Sequence, residues 1–122
     1  MRFYPQLQAL LLTSAACKGS TAPTSGGVTI QDFSFSPAAL TVKVGTTVNW
    51  TNSGPSAHTA TSNTGTWDSG QLSSPTSGGA YGGSAGGTYQ YTFTTAGTYP
   101  YHCLNHPPSV YPGFTGTITV TP

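Results

Sequence analysis

At 122 residues the chain has the mass for one domain with one modest core. Only Arg2, Lys18, Lys43, Asp32 and Asp68 carry fixed charge, so no basic patch exists to hold nucleic-acid phosphates, and electrostatic steering of partners has little to work with. Thr, Ser, Gly and Tyr dominate and strong helix formers are scarce past residue 40, which predicts an all-β fold covered by hydroxyls.

Residues 1–16 have one early Arg, a short apolar run and small residues before Cys17, the layout of a secretory signal. The run is too short and too interrupted by Gln6 and Gln8 for a membrane span. A Cys straight after small residues resembles the lipobox of bacterial lipoproteins, although Ser14 stands where Leu is usual. The alternative is an ordinary signal cut nearby. Residues 17–27, rich in Gly, Ser, Thr and Pro, read as a flexible tether, and residues 28–122 as the folded domain. The expectation is export to the periplasm or the outer face of a bacterial membrane, with a lipid on Cys17. Cys103 then has no disulfide partner, and an unpaired thiol in an oxidising compartment needs a reason to persist.

From Val28 the chain alternates with period two. Val28 and Ile30 lead to Phe33 and Phe35, with a phase shift at Gln31-Asp32 that predicts a bulge. After a turn at residues 36–39, Leu40, Val42 and Val44 face one way. Gly45 turns the chain into a strand with Val48 and Trp50 inward. Residues 52–55 form a loop delivering His58 to a short strand, 58–62. Residues 67–72 pack down, and 73–87 are a Gly- and Ser-rich spacer. Tyr89, Tyr91 and Phe93, then Tyr99, Tyr101 and Cys103, then Ile118 and Val120 complete the pattern. About seven or eight short strands separated by turns predict a β-sandwich.

Alternation places Cys103 inward with Tyr99 and Tyr101, and turns His102 to the opposite face. The turn at Leu104-Asn105 lets His106 swing back, and His58 arrives from another strand. A thiolate with two imidazoles suits copper. Thr59 is placed to hydrogen-bond across to the Cys103 loop and fix ligand geometry. Other readings of the same residues exist. A buried free Cys is sometimes only a small hydrophobe. Structural zinc wants a fourth ligand, which is not obvious here. A Cys-His nucleophile needs an orienting third group, and neither Asp has a position suggesting one.

Trp50-Thr-Asn, Ala57-His-Thr-Ala-Thr, Trp67-Asp-Ser-Gly, Thr95-Ala-Gly-Thr-Tyr-Pro-Tyr-His-Cys103 with His106, and Gly116-Thr-Ile-Thr-Val120 together resemble the cupredoxins. The plastocyanin, pseudoazurin and amicyanin branch is closest. The resemblance covers residues 28–120 apart from the Gly-rich insertion. It implies a Greek-key β-sandwich with one type 1 copper ion on His58, Cys103 and His106. It departs at the axial position, where the family usually has a Met; the sole Met here is Met1, and Phe114 stands in the matching place. The site then resembles the three-coordinate type 1 coppers of some multicopper oxidases. Tyr111 or Gln71 is the alternative, as an oxygen donor.

The function expected is one-electron transfer rather than enzymatic chemistry. Three His in the whole chain leave no material for a trinuclear copper centre. The resemblance implies that redox proteins dock near His106, within a rim of Pro107, Pro108, Val110, Tyr111 and Pro112, on a monomer. A copper carrier or storage protein is the rival, although such proteins favour exposed Met- or Cys-rich sites. A surface interaction module with a vestigial site is a third reading, against which the retention of all three strong ligands speaks.

Overall fold

The structure, a computed structural model, describes residues 25–76 and 83–122. The expected signal, Cys17 and most of the tether lie outside the described residues. Eight strands and no helix occur among those described. They are β1 Ser25–Gln31, β2 Ser34–Ser36, β3 Ala39–Lys43, β4 Thr47–Asn52, β5 Thr61–Ser62, β6 Thr88–Thr92, β7 Gly97–His102 and β8 Thr115–Thr121.

The strands form two four-stranded sheets, in the orders β2-β1-β4-β6 and β3-β8-β7-β5. Parallel pairs β1–β4 and β3–β8 force the chain to cross between the sheets rather than run through simple hairpins. The result is the expected all-β Greek-key sandwich. Burial alternates along β4 and β8, as it must where one face of each sheet meets the other. Ile30, Val42, Val48, Trp50, Tyr101 and Ile118 are wholly buried between the sheets. Trp67 descends from the β5–β6 connection and stacks on Trp50 with ring centroids 5.3 Å apart, closing that side. Such ring pairs add about 0.5–1.5 kcal/mol beyond their buried area.

Several local expectations change. The phase shift at Gln31-Asp32 is not a bulge. Gln31 pairs with Ser34 and Ile30 with Phe35, so Asp32 and Phe33 are the two central residues of a tight hairpin. Phe33 takes φ 67° and is 44% exposed rather than inward. A loop of two residues needs a positive φ that glycine or asparagine usually supplies, and here a Phe supplies it. Val44 lies beyond β3, in the turn with Gly45 (φ 93°), and is exposed. The strand expected at 58–62 is regular only at Thr61–Ser62. β1 begins at Ser25, opposite Thr47, so the last three residues of the expected tether are strand. The 73–87 spacer is tied in part, because Thr76 and Ser84 exchange backbone hydrogen bonds; residues 77–82 lie outside the described residues.

Candidate metal centre

The centre sits at one end of the sandwich, where β7 runs out and the β4–β5 connection crosses it. His58 is extended and exchanges two backbone hydrogen bonds with Leu72, N to O at 3.1 and 2.8 Å. That clamp fixes the imidazole, which is wholly buried. Cys103 follows the last residue of β7 and keeps its inward phase, with no exposure. A turn closed by His106 N–H on the Cys103 carbonyl at 3.3 Å returns the second imidazole to the same sulfur.

Sγ of Cys103 lies 3.8 Å from Nδ1 of His58 and 3.7 Å from Nδ1 of His106. All three donor atoms fall within 4.8 Å of one another. Typical metal bonds of about 2.0 Å to nitrogen and about 2.3 Å to sulfur, opened to a trigonal angle, give an N···S edge of about 3.7 Å. The three side chains are therefore spaced as ligands of one ion, and the donor set of two imidazoles and one thiolate suits copper. His102 points away and bonds Asn63 Oδ1.

The surrounding bonds hold the loop in place. Thr59 N–H donates to Cys103 Sγ at 3.3 Å, and Thr59 Oγ1 accepts Leu104 N–H at 2.8 Å, as expected for a residue bridging to the Cys loop. That hydroxyl continues through Thr61 Oγ1 at 2.9 Å to Asp68 Oδ1 at 3.0 Å. Asn105 donates to Ala57 O and exchanges two amide bonds with Gln71, at 2.8 and 2.9 Å. Gln71 is thus exposed and occupied with Asn105, not turned to the centre.

An aromatic cup covers the remaining side. Phe114 is wholly buried, 5.0 Å from the His58 ring and 5.7 Å from the His106 ring between centroids. Phe33 meets His106 edge-on at 5.1 Å and stacks on Tyr111 at 4.7 Å and 11°. Tyr111 meets His106 edge-on at 5.0 Å. His106 is the half-exposed member, and Leu104 and Val110 beside it are 52% and 66% exposed.

Two contacts were missed in reading the chain. Phe33 is one. The other is Asp32, whose Oδ1 lies 2.8 Å from His58 Nε2, although neither Asp has a place in the sequence that suggests it orients an imidazole. A carboxylate there can only accept, so Nε2 carries the proton and Nδ1 presents its lone pair to the centre. The signal was available as two alternating runs separated by two residues.

Comparison with known proteins agrees with this geometry. The family described as copper binding proteins, plastocyanin/azurin family, matches residues 22–121. A plastocyanin from Scenedesmus fuscus is 36% identical over 86 residues, 70% of this chain and 85% of that protein. Among solved structures, a purple cupredoxin from Nitrosopumilus maritimus superposes with TM-score 0.58 at 25% identity, covering 79% of this chain and 99% of that one. An oxidised single-site mutant of amicyanin superposes with TM-score 0.59 at 27% identity, covering 84% and 87%.

Proposed function

The chain belongs to the plastocyanin/azurin family of copper-binding proteins, and from that premise we propose that it is a one-electron carrier with a single type 1 copper site. His58 Nδ1, Cys103 Sγ and His106 Nδ1 would hold the ion, and Phe114, which closes the remaining side, has no atom to donate to it. Copper bound there would alternate between Cu(I) and Cu(II) and so store one electron. The observation that carries this reading is the pair of 3.7 and 3.8 Å edges from one sulfur to two imidazole nitrogens.

The protein's part is to keep those donors still. The Leu72 clamp, the Thr59 bridge and the Asn105–Gln71 pair each fix one ligand-bearing segment from a different direction. Three donors held in this way would leave little to reorganise when bound copper gained or lost an electron. Cys103, His58 and Asp32 do lie in line, in the manner of a nucleophile with its base and orienting acid. A sulfur with no exposure, shared by a second imidazole, has no approach for a substrate, and the nucleophile reading fails. Electrons pass through the half-exposed His106, where Leu104, Val110 and Phe33 offer a neutral apolar face to a redox protein.

Export, with a lipid on Cys17, completes the proposal; mass spectrometry showing an unmodified amino terminus at another residue would refute it. For the site itself, adding Cu(II) to purified protein should produce an intense visible band and a reversible one-electron couple. Cys103→Ser should abolish the band and His102→Ala should leave it. A colourless Cu(II) protein overturns the reading, and a redox-inactive one would mark a carrier instead.

A further inference from the structure

The chain has only two carboxylates among its side chains, and both are bonded into the candidate centre. Asp68 reaches it through two threonine hydroxyls, whereas Asp32 binds a ligand imidazole directly. In a molecule that covers itself with hydroxyls, this placement of the charge calls for a physical account.

We propose that Asp32 is a positioning residue that also lowers the reduction potential of the site, offsetting what the loss of an axial donor at Phe114 raises. The idea rests on the type 1 copper reading above. Its first support is geometric. The bond from His58 Nε2 to Asp32 Oδ1 is 2.8 Å, and the imidazole has no exposure through which water could compete. The carboxylate is itself held: Ser56 Oγ donates to Oδ2 at 3.4 Å, and Gly54 packs so closely that a Cβ there would lie 2.9 Å from Oδ1. Its second support is the hairpin. Asp32 shares the two-residue loop of that hairpin with Phe33, which accepts a positive φ, and unusual backbone of this kind concentrates at functional sites.

The chemistry gives the sign. A carboxylate accepting the distal N–H of a ligand imidazole fixes the ring and raises the basicity of the opposite nitrogen. A fixed negative charge one imidazole width from the ion also favours the more positive oxidation state. Both effects stabilise Cu(II) over Cu(I). The side chain is 28% exposed, so solvent weakens the Coulomb part without removing it.

The test compares the full protein with Asp32→Asn and Asp68→Asn, which change net charge equally. The amide in Asp32→Asn keeps an acceptor oxygen for Nε2–H but removes the charge. Voltammetry should show Asp32→Asn raising the potential by about 59 mV or more, a tenfold change in the one-electron equilibrium, with a smaller rise for Asp68→Asn. In the metal-free protein, NMR should show a downfield, slowly exchanging His58 Nε2–H that moves upfield in Asp32→Asn and stays in Asp68→Asn. Equal shifts in the two variants, or no shift in Asp32→Asn, overturn the proposal. A wild-type protein with no blue band and no reversible couple would instead overturn the copper reading, and the metal-free NMR result would still decide whether Asp32 orients the ring.

Discussion

A phenyl ring has no lone pair to give, and Phe114 lies buried with its face or edge toward both candidate ligand imidazoles. Phe114→Met would bring a thioether into that space. Weak donation stabilises Cu(II), so the potential should fall while the blue colour persists. Voltammetry resolves this easily, since about 59 mV is a tenfold change in the equilibrium. Tyr101 makes a second prediction. Burial pushes its hydroxyl up to about 12 from 10.0, and the neighbouring Trp50 indole offsets a little of that. The folded state therefore holds this proton more tightly than the unfolded chain does. The associated stability is intact below pH 10 and is lost as pH climbs towards 12, to a total of about 3 kcal/mol. Tyr101→Phe should remove that alkaline loss in denaturant melts at pH 8 and pH 12. Its hydroxyl makes no well-aligned hydrogen bond, so the variant should be at least as stable as wild type at pH 8.

The hairpin joining β1 and β2 reaches both imidazoles of the site. Its two central residues supply the carboxylate behind His58 and the ring beside His106, so one short turn touches both imidazoles. The loop that follows β4 packs beneath it. A Cβ on Gly54 would stand 2.9 Å from the Asp32 backbone nitrogen and 3.1 Å from the Gln31 carbonyl carbon, so hairpin and loop must separate in Gly54→Ala. Overpacking of this kind costs about 1–3 kcal/mol. The variant should melt at lower denaturant and shift its potential upward, in the direction expected for Asp32→Asn. Period-two alternation made the strands legible, and with them the inward Cys103 and the outward His102. It could not reveal this hairpin's role, because the Asp32–His58 bond spans 26 positions and the hairpin turns through a Phe in a conformation that local preference disfavours. Thr59 was legible for the opposite reason: it adjoins a candidate ligand and carries a hydroxyl short enough to reach only the neighbouring loop.

At the scale of the whole molecule the scarcity of charge limits what electrostatic steering could contribute to meeting a redox partner of the proposed kind. The formal net charge is +1, and over residues 25–122 it is −1, from Lys43 against Asp32 and Asp68. A unit charge facing a partner of about five charges at about 25 Å in water gains about 0.8 kcal/mol. That is at most about fourfold in encounter rate, and salt screens it further. The proposed docking would then rest on the apolar face around His106, where Leu104, Val110 and Phe33 are exposed. Two results should follow when electron transfer to a redox protein partner is timed by stopped flow. Between about 10 mM and about 500 mM salt, with Debye lengths from about 30 Å to a few Å, the bimolecular rate constant should change by less than about fourfold. Leu104→Glu should lower that rate constant at every salt concentration, by placing a charge that must be desolvated at the centre of the contact. The absorption band should be unchanged in this variant, because the Leu104 side chain is exposed and only its backbone N–H is bonded to Thr59. A steep fall of the wild-type rate with salt would instead place the contact on a charged surface, and would remove His106 from the route.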